Sequence, residues 1–115
     1  MAGTSLFVYG TLTSDDVRTM LTGRRFPFSA VLLEGYARVF PRALGGYPTL
    51  VPRPGEAVSG LLLEDVDAAS LRALDAYEDA GHLYRRQPVE VVARGVRIAC
   101  EAYVAVEDTP GVTPR

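Results

Sequence analysis

Apolar and polar positions follow two different periods along this chain, and the change between them marks its elements. Leu6, Phe7, Val8 and Tyr9 form an unbroken apolar, aromatic and β-branched run, which predicts a short strand buried on both faces. Gly10 interrupts it, the polar Thr11 follows, and Thr13 or Ser14 can N-cap a short helix reaching Met20 or Leu21. Val31, Leu33, Gly35, Ala37 and Val39 alternate with Leu32, Glu34, Tyr36 and Arg38, a long strand with one cleaner face that ends at Pro41. Ala43 to Pro54 reads as a loop rich in glycine and proline, with Thr49-Leu50-Val51 as a short strand inside it. Val58 to Leu63 is a further strand, expected to start after a turn at Pro54-Gly55. A helix capped by Asp67 then runs from Ala68 to about Glu78. Pro88 to Ala93 and Val96 to Val106 form a hairpin joined at Arg94-Gly95. In its second strand Val96, Ile98, Cys100, Ala102, Val104 and Val106 share one face, and Arg97, Glu101 and Glu107 the other. Many strands with few helices predict an α+β domain over residues 1–107, in which a mixed sheet curls into a small barrel with short helices at its rim. Residues 108–115, with two prolines and a glycine, are expected to be a flexible tail.

The helix carries the most pointed anomaly in this pattern. Leu71 and Leu74 mark its apolar stripe, and the next place on that stripe is Glu78. Arg72, Asp75, Ala76 and Asp79 fall on the other side. A carboxylate where a leucine is expected is costly to bury unless it is paired or neutralised. Glu78 is therefore a group with a chemical task, a salt-bridge partner of Arg85 or Arg86, or a helix-end residue that escapes to solvent. Glu34, on the mixed face of its strand, is a weaker candidate. The strand–glycine–hydroxyl–helix sequence at Tyr9 to Ser14 leaves two readings open as well. Gly10 either serves a strand-to-helix turn or lets backbone N–H groups approach an anion.

Composition narrows the alternatives. The 115 residues are 48% hydrophobic and 23% charged, which fits one globular domain. All twelve basic residues are arginines and the net charge is -2, so a broad basic face for nucleic acid is not expected. No apolar run approaches the roughly 18 residues of a membrane span, no signal peptide is evident, and a cytoplasmic protein is expected. One cysteine and one histidine exclude an internal disulfide and a Cys/His zinc cluster. Cys100 sits on an apolar strand face and reads as a small core residue rather than a nucleophile partnered by His82. No serine occupies a nucleophile-elbow motif. Arg24-Arg25 and Arg85-Arg86 read as solvated pairs, with Arg86 singled out because it follows the helix that bears Glu78. Tyr84 is either a half-buried strand aromatic or the wall of a pocket.

Five short motifs stand in order: Tyr9-Gly10-Thr11-Leu12, Tyr47-Pro48, Val58-Ser59-Gly60, Leu74-Asp75-Ala76-Tyr77-Glu78 and Tyr84-Arg85-Arg86. Together they resemble the γ-glutamylcyclotransferase-like family, from Leu6 to about Val106, and are most similar to the branch holding γ-glutamylamine cyclotransferases and plant avirulence-induced proteins. One departure is Asp79, where the family commonly has glycine after the glutamate. The resemblance implies an enzyme that closes a γ-glutamyl group to 5-oxoproline and frees an amine, with no metal or cofactor. It implies Glu78 as the general acid/base. It implies Tyr9, Gly10, Thr11, Leu12, Tyr84 and Arg86 as residues that bind a small γ-glutamyl substrate, with no nucleic-acid or membrane partner. Two other readings share the pocket: a non-catalytic binder of a small acidic metabolite, and a deblocking enzyme in a biosynthetic pathway with a different leaving amine.

Overall fold

The computed structural model describes residues 3–78 and 83–105. Among them five strands close into a barrel in the order β1-β3-β2-β4-β5, where β1 is Thr4–Val8, β2 Phe28–Val39, β3 Thr49–Val66, β4 Tyr84–Ala93 and β5 Val96–Ala105. Neighbours pair antiparallel except at the closing seam, where β1 runs parallel to β5 through Leu6↔Glu101 and Phe7↔Ala102. Two helices lie against the barrel, α1 over Asp15–Thr22 and α2 over Ala68–Tyr77. The α+β class with a small mixed barrel and short helices is the architecture the pattern predicts. No described helix is long and apolar enough to cross a membrane.

Alternation along the strands builds two apolar layers instead of one. Phe7, Val31, Leu33, Val58, Leu62, Val91, Ala102 and Val104 pack together inside the barrel, with contributions from every strand. The residues between them point the other way: Leu6, Val8, Leu63, Val66 and Tyr103 pack outside the wall against Leu74 of α2, with Val17, Leu21 and Leu71 around them. This is why Leu6 to Tyr9 is apolar without interruption. β1 is covered on both faces, as buried strands are. The same double cover makes residues 102–105 of β5 buried on both faces, where alternation alone predicts one.

Both helix caps form as their sequences predict. The Ser14 side chain accepts from Val17 N–H at 3.3 Å, and Asp67 accepts from Ser70 N–H at 3.2 Å. The hairpin loop is the two residues Arg94 (φ 50°) and Gly95 (φ 78°), and left-handed backbone at both positions matches the right-handed twist of the flanking strands.

Three expectations are corrected. The segments at Thr49–Val51 and Val58–Leu63 are not separate strands about a turn; they are parts of the single 18-residue β3. Pro54-Gly55 lies in a bulge, where Arg53 to Glu56 stand opposite Gly35 alone between the pairs Glu34↔Ala57 and Tyr36↔Pro52. Gly35 and Gly55 both take positive φ there, 82° and 87°, and proline and glycine within a strand mark such bulges as readily as turns. β2 starts at Phe28, three residues before the first clean alternation, because it pairs with β3 from Phe28↔Leu63 onward. β4 starts at Tyr84 and runs through Pro88, which the ladder tolerates because β4 meets β2 only at Leu32↔Val92. Pro88 lies opposite Glu101 of β5 and has no registered partner on β2.

Candidate active site

Four of the five motifs meet at one end of the barrel. They line a cavity of about 210 Å³ together with Phe7, Val8, Leu83 and Tyr103. The segment that follows β1 supplies Tyr9, Gly10, Thr11 and Leu12, the loop before β3 supplies Tyr47 and Pro48, the end of α2 supplies Tyr77 and Glu78, and β4 supplies Tyr84. The fifth motif acts from behind. A Cβ on Gly60 would stand 2.4 Å from the Val8 carbonyl oxygen and 2.6 Å from the Phe7 ring. Only glycine there lets β1 lie close enough to β3 to carry the turn to its place.

The turn itself is a short 3₁₀ segment over Thr11–Thr13. Thr13 N–H donates to the Gly10 carbonyl at 3.0 Å, and Ser14 N–H to the Thr11 carbonyl at 3.1 Å. The N–H groups at the start of such a turn have no partner within it. Gly10 has φ −125°, so positive φ is not what selects glycine here. Closeness is: a Cβ would meet the Pro48 ring at 3.3 Å. Two arginines that the sequence pattern did not single out hold the turn from outside the cavity. Arg38 Nη1 donates to the Tyr9 carbonyl at 2.8 Å, and Arg18 Nη1 donates to the Leu12 carbonyl at 2.9 Å. Arg18 is only 2% exposed, with Asp15 at 3.4 Å and the Phe28 ring 5.4 Å from its guanidinium carbon. Across the cavity, the Thr11 and Tyr77 hydroxyls share a hydrogen bond of 2.8 Å.

Glu78 is the C-cap of α2, its N–H donating to the Leu74 carbonyl at 3.0 Å. It does not escape to solvent; it is partly buried in the cavity wall. Among the described residues its carboxyl has no ion-pair or hydrogen-bond partner, and burial pushes its pKa up to about 7. Burying a carboxylate without a compensating charge is the first of the ways a pKa rises. The aromatic hydroxyls around it feel the same site. Burial and then the charge of Glu78 push Tyr84 up to about 12. Burial raises Tyr9 and Tyr103 further. Tyr84 donates to the Pro48 carbonyl at 2.8 Å, and Tyr9 donates to the Tyr103 carbonyl, so the cavity walls are tied to one another.

Arg86, expected among the substrate-binding residues, does not line the cavity. Its Nε and Nη2 donate to Asp75 at 2.8 and 3.3 Å, and its Nη1 donates to Glu101. Asp75 is corrected with it: expected on the far side of the helix, it is turned inward and also accepts from the Tyr103 hydroxyl. Its helical phase, about 100° from Leu74, places it on the flank of the stripe, and only the closing of β4 and β5 beside α2 covers that flank. Glu34 is exposed and 3.7 Å from Arg97. Cys100 is buried in the barrel interior, and burial pushes its thiol up to about 11. His82, Asp79 and residues 106–115 lie outside the described residues. Among the described residues no group of three or more His, Cys, Asp and Glu is placed to hold a metal ion.

Known proteins share this barrel fold. The chain belongs to the family described as gamma-glutamyl cyclotransferase, AIG2-like, whose model matches residues 6–114. It is 34% identical over 96 residues to AIG2-like protein D of Arabidopsis thaliana, a match covering 80% of this chain and 61% of the relative. The chain thus spans about three fifths of the length of the curated relatives it matches. An AIG2-like protein crystal structure from Mus musculus superposes with a TM-score of 0.73 at 27% identity, over 93% of this chain and 80% of that one. A gamma-glutamyl cyclotransferase structure superposes with a TM-score of 0.79 at 20% identity, over 90% of this chain and 66% of that one, which shows a shared fold.

Proposed function

We propose that the chain is a γ-glutamyl cyclotransferase-type enzyme that converts the γ-glutamyl group of a γ-glutamyl amine or amino acid to 5-oxoproline and releases the free amine. The observation that carries this reading is Glu78, a partly buried carboxyl in the cavity wall with no partner among the described residues and a pKa near 7. The α-amine of the substrate is mostly protonated near neutral pH and needs a base before it can attack. Glu78 takes that proton, and the amine nitrogen bonds to the γ-carbonyl carbon of the same molecule. The bond from that carbon to the leaving nitrogen breaks as Glu78 returns the proton to it, and the second proton that the attacking nitrogen sheds on becoming the lactam N–H leaves on the released amine, which departs as an ammonium ion. A group half-ionised near neutral pH suits both halves of the exchange. Atoms balance without a cofactor, because ring closure only exchanges one C–N bond for another.

The rest of the cavity orients the substrate. The N–H groups at the start of the Gly10–Leu12 turn receive the substrate carboxylate or the developing oxyanion, and the Thr11 hydroxyl adds a donor. Tyr9 and Tyr84 wall the site and exclude water. Holding the γ-glutamyl chain curled for attack on itself is an orientation effect, and such effects are worth several kcal/mol. The test is a screen of γ-glutamyl amines, γ-glutamyl amino acids and isopeptides for released 5-oxoproline. Turnover of any of them, with equal release of the amine, supports the enzyme reading. Binding of these compounds without 5-oxoproline identifies a metabolite-binding protein instead.

A further inference from the structure

Two carboxyls on the same helix, Asp75 and Glu78, have opposite surroundings. Asp75 accepts from three donors, two on Arg86 and the Tyr103 hydroxyl, while Glu78, three residues on, has none among the described residues. Arg86 is the cation bonded to Asp75. Its guanidinium is closed in by Asp75 on one side and by Glu101 of β5 on the other. Tyr103, between them, lines the cavity and lies within electrostatic reach of Asp75, Arg86 and Glu78 together. Resting on the enzyme reading of Glu78, we infer that Asp75 and Glu101 form a cage that holds Arg86 away from Glu78, so that Asp75 is a positioning residue for the catalytic carboxyl.

The cage resolves a conflict in the design of the site. α2 must be anchored to β4 and β5 near its C-terminus, and an arginine with two acidic partners does that well. The same arginine, if it turned to Glu78, would hold that carboxyl ionised and unable to return a proton, since an opposite charge within about 4–6 Å lowers a carboxyl pKa by one to three units. Spending two carboxylates on one guanidinium leaves no favourable reason for it to turn. Burial draws the Arg86 pKa down, and the hydrogen bonds that Arg86 donates to Asp75 and Glu101 outweigh it. Among the described residues the other titratable groups that line the cavity with Glu78 are the hydroxyls of Tyr9, Tyr47, Tyr77, Tyr84 and Tyr103; burial raises those of Tyr9, Tyr84 and Tyr103, and the Arg38 guanidinium stands behind the turn on the Tyr9 carbonyl.

The experiment follows the Glu78 carboxyl by carbon-13 NMR across pH 4 to 9 in the full chain, alongside the pH profile of 5-oxoproline release. In Asp75→Asn the midpoint of Glu78 falls by at least about one unit, the low end of the effect of a nearby opposite charge. Glu101→Gln, outside the helix and gentler on folding, moves it in the same direction by less. In Asp75→Asn combined with Arg86→Met the midpoint returns to within a few tenths of the unmodified protein. An unchanged midpoint in folded Asp75→Asn and Glu101→Gln overturns the cage. A double variant as low as Asp75→Asn also overturns it, because the fall is then a direct effect of Asp75 and not of a released arginine. If the NMR midpoint shifts as stated but the rate profile does not follow, the cage stands and the role given to Glu78 fails.

Discussion

The inside of the barrel and the layer beneath its helices are built from alternate residues of the same strands, yet their contents differ. The interior is filled by Phe7, Val31, Leu33, Leu62, Val91 and similar side chains. The outer layer has an apolar floor of Leu6, Val8, Leu63 and Leu74, but Arg18 of α1 and Ser70 of α2 are buried polar residues, and Tyr84 and Tyr103 of this layer line the cavity. Apolar packing of the first kind is non-directional and supplies stability. The second kind fixes orientation, because each buried polar group needs a particular partner at a particular distance. The two layers meet at the cavity, where Phe7 and Tyr9 of the interior cluster line the wall beside Tyr84 and Tyr103 of the outer one, so changes in the interior away from that end should be separable from changes in the site.

Truncation in the interior gives the largest effect. Leu33 is 1% exposed, and Leu33→Ala is expected to cost about 2–5 kcal/mol of stability. Urea unfolding checks this, and the molecules that remain folded should turn over substrate at nearly the unmodified rate. A large loss of activity without loss of stability would mean that the layers are not separable. Gly10→Val makes the opposite test. The added side chain meets the Pro48 ring at the cavity, and substrate affinity should fall at least about tenfold, roughly 1.4 kcal/mol, while the melting temperature stays close to that of the parent. Calorimetric titration with a γ-glutamyl compound reads the first and thermal unfolding the second. An analogue lacking the substrate α-carboxylate should bind the unmodified protein poorly if the turn holds that group.

The smallest effect is one of pH on stability. The Glu78 pKa is raised from 4.5 to about 7 on folding, so between those values the folded chain holds more of a proton than the unfolded chain. Stability contributed by the protonated form is present below about pH 4.5 and is lost as pH rises to about 7. Denaturant unfolding at several pH values across that window should show a downward slope that is shallower in Glu78→Gln. Equal slopes in the two proteins would mean that the carboxyl is solvated in the folded state.

Legibility from sequence divides along the same line as the two layers. Features set by local chemistry were readable: the continuous apolar run of β1, the Ser14 and Asp67 caps, the Arg94-Gly95 hairpin turn, and the phase of Glu78 relative to Leu71 and Leu74. Features that depend on closing the barrel were not. Pro54-Gly55 has the composition of a turn, and only the pairing of β2 with β3 on both sides of it shows a bulge. Asp75 sits on the flank of a helix stripe, a place ordinarily solvated, and becomes an inward residue because Arg86 and Tyr103 arrive from strands about 11 and 28 residues later. Arg18 carried no sequence signal for burial, since its principal acceptor is a backbone carbonyl, Leu12, which no side-chain pattern encodes. The cavity wall was legible where a residue broke a period, as Glu78 does, and illegible where its neighbours merely completed a hydrogen-bond network.

The most direct test of the account is the turnover of Glu78→Gln. The substitution keeps the shape of the side chain and removes its ability to carry a proton. General acid–base catalysis is typically worth about 10²–10⁴-fold, so release of 5-oxoproline should fall by at least about a hundredfold. Substrate binding should be largely kept, and stability above pH 7 should be unchanged or improved, because the variant no longer buries an unpaired carboxylate. Normal turnover in Glu78→Gln, or a loss of several kcal/mol of stability such as follows the breaking of a buried ion pair, would contradict the account and make Glu78 a structural residue.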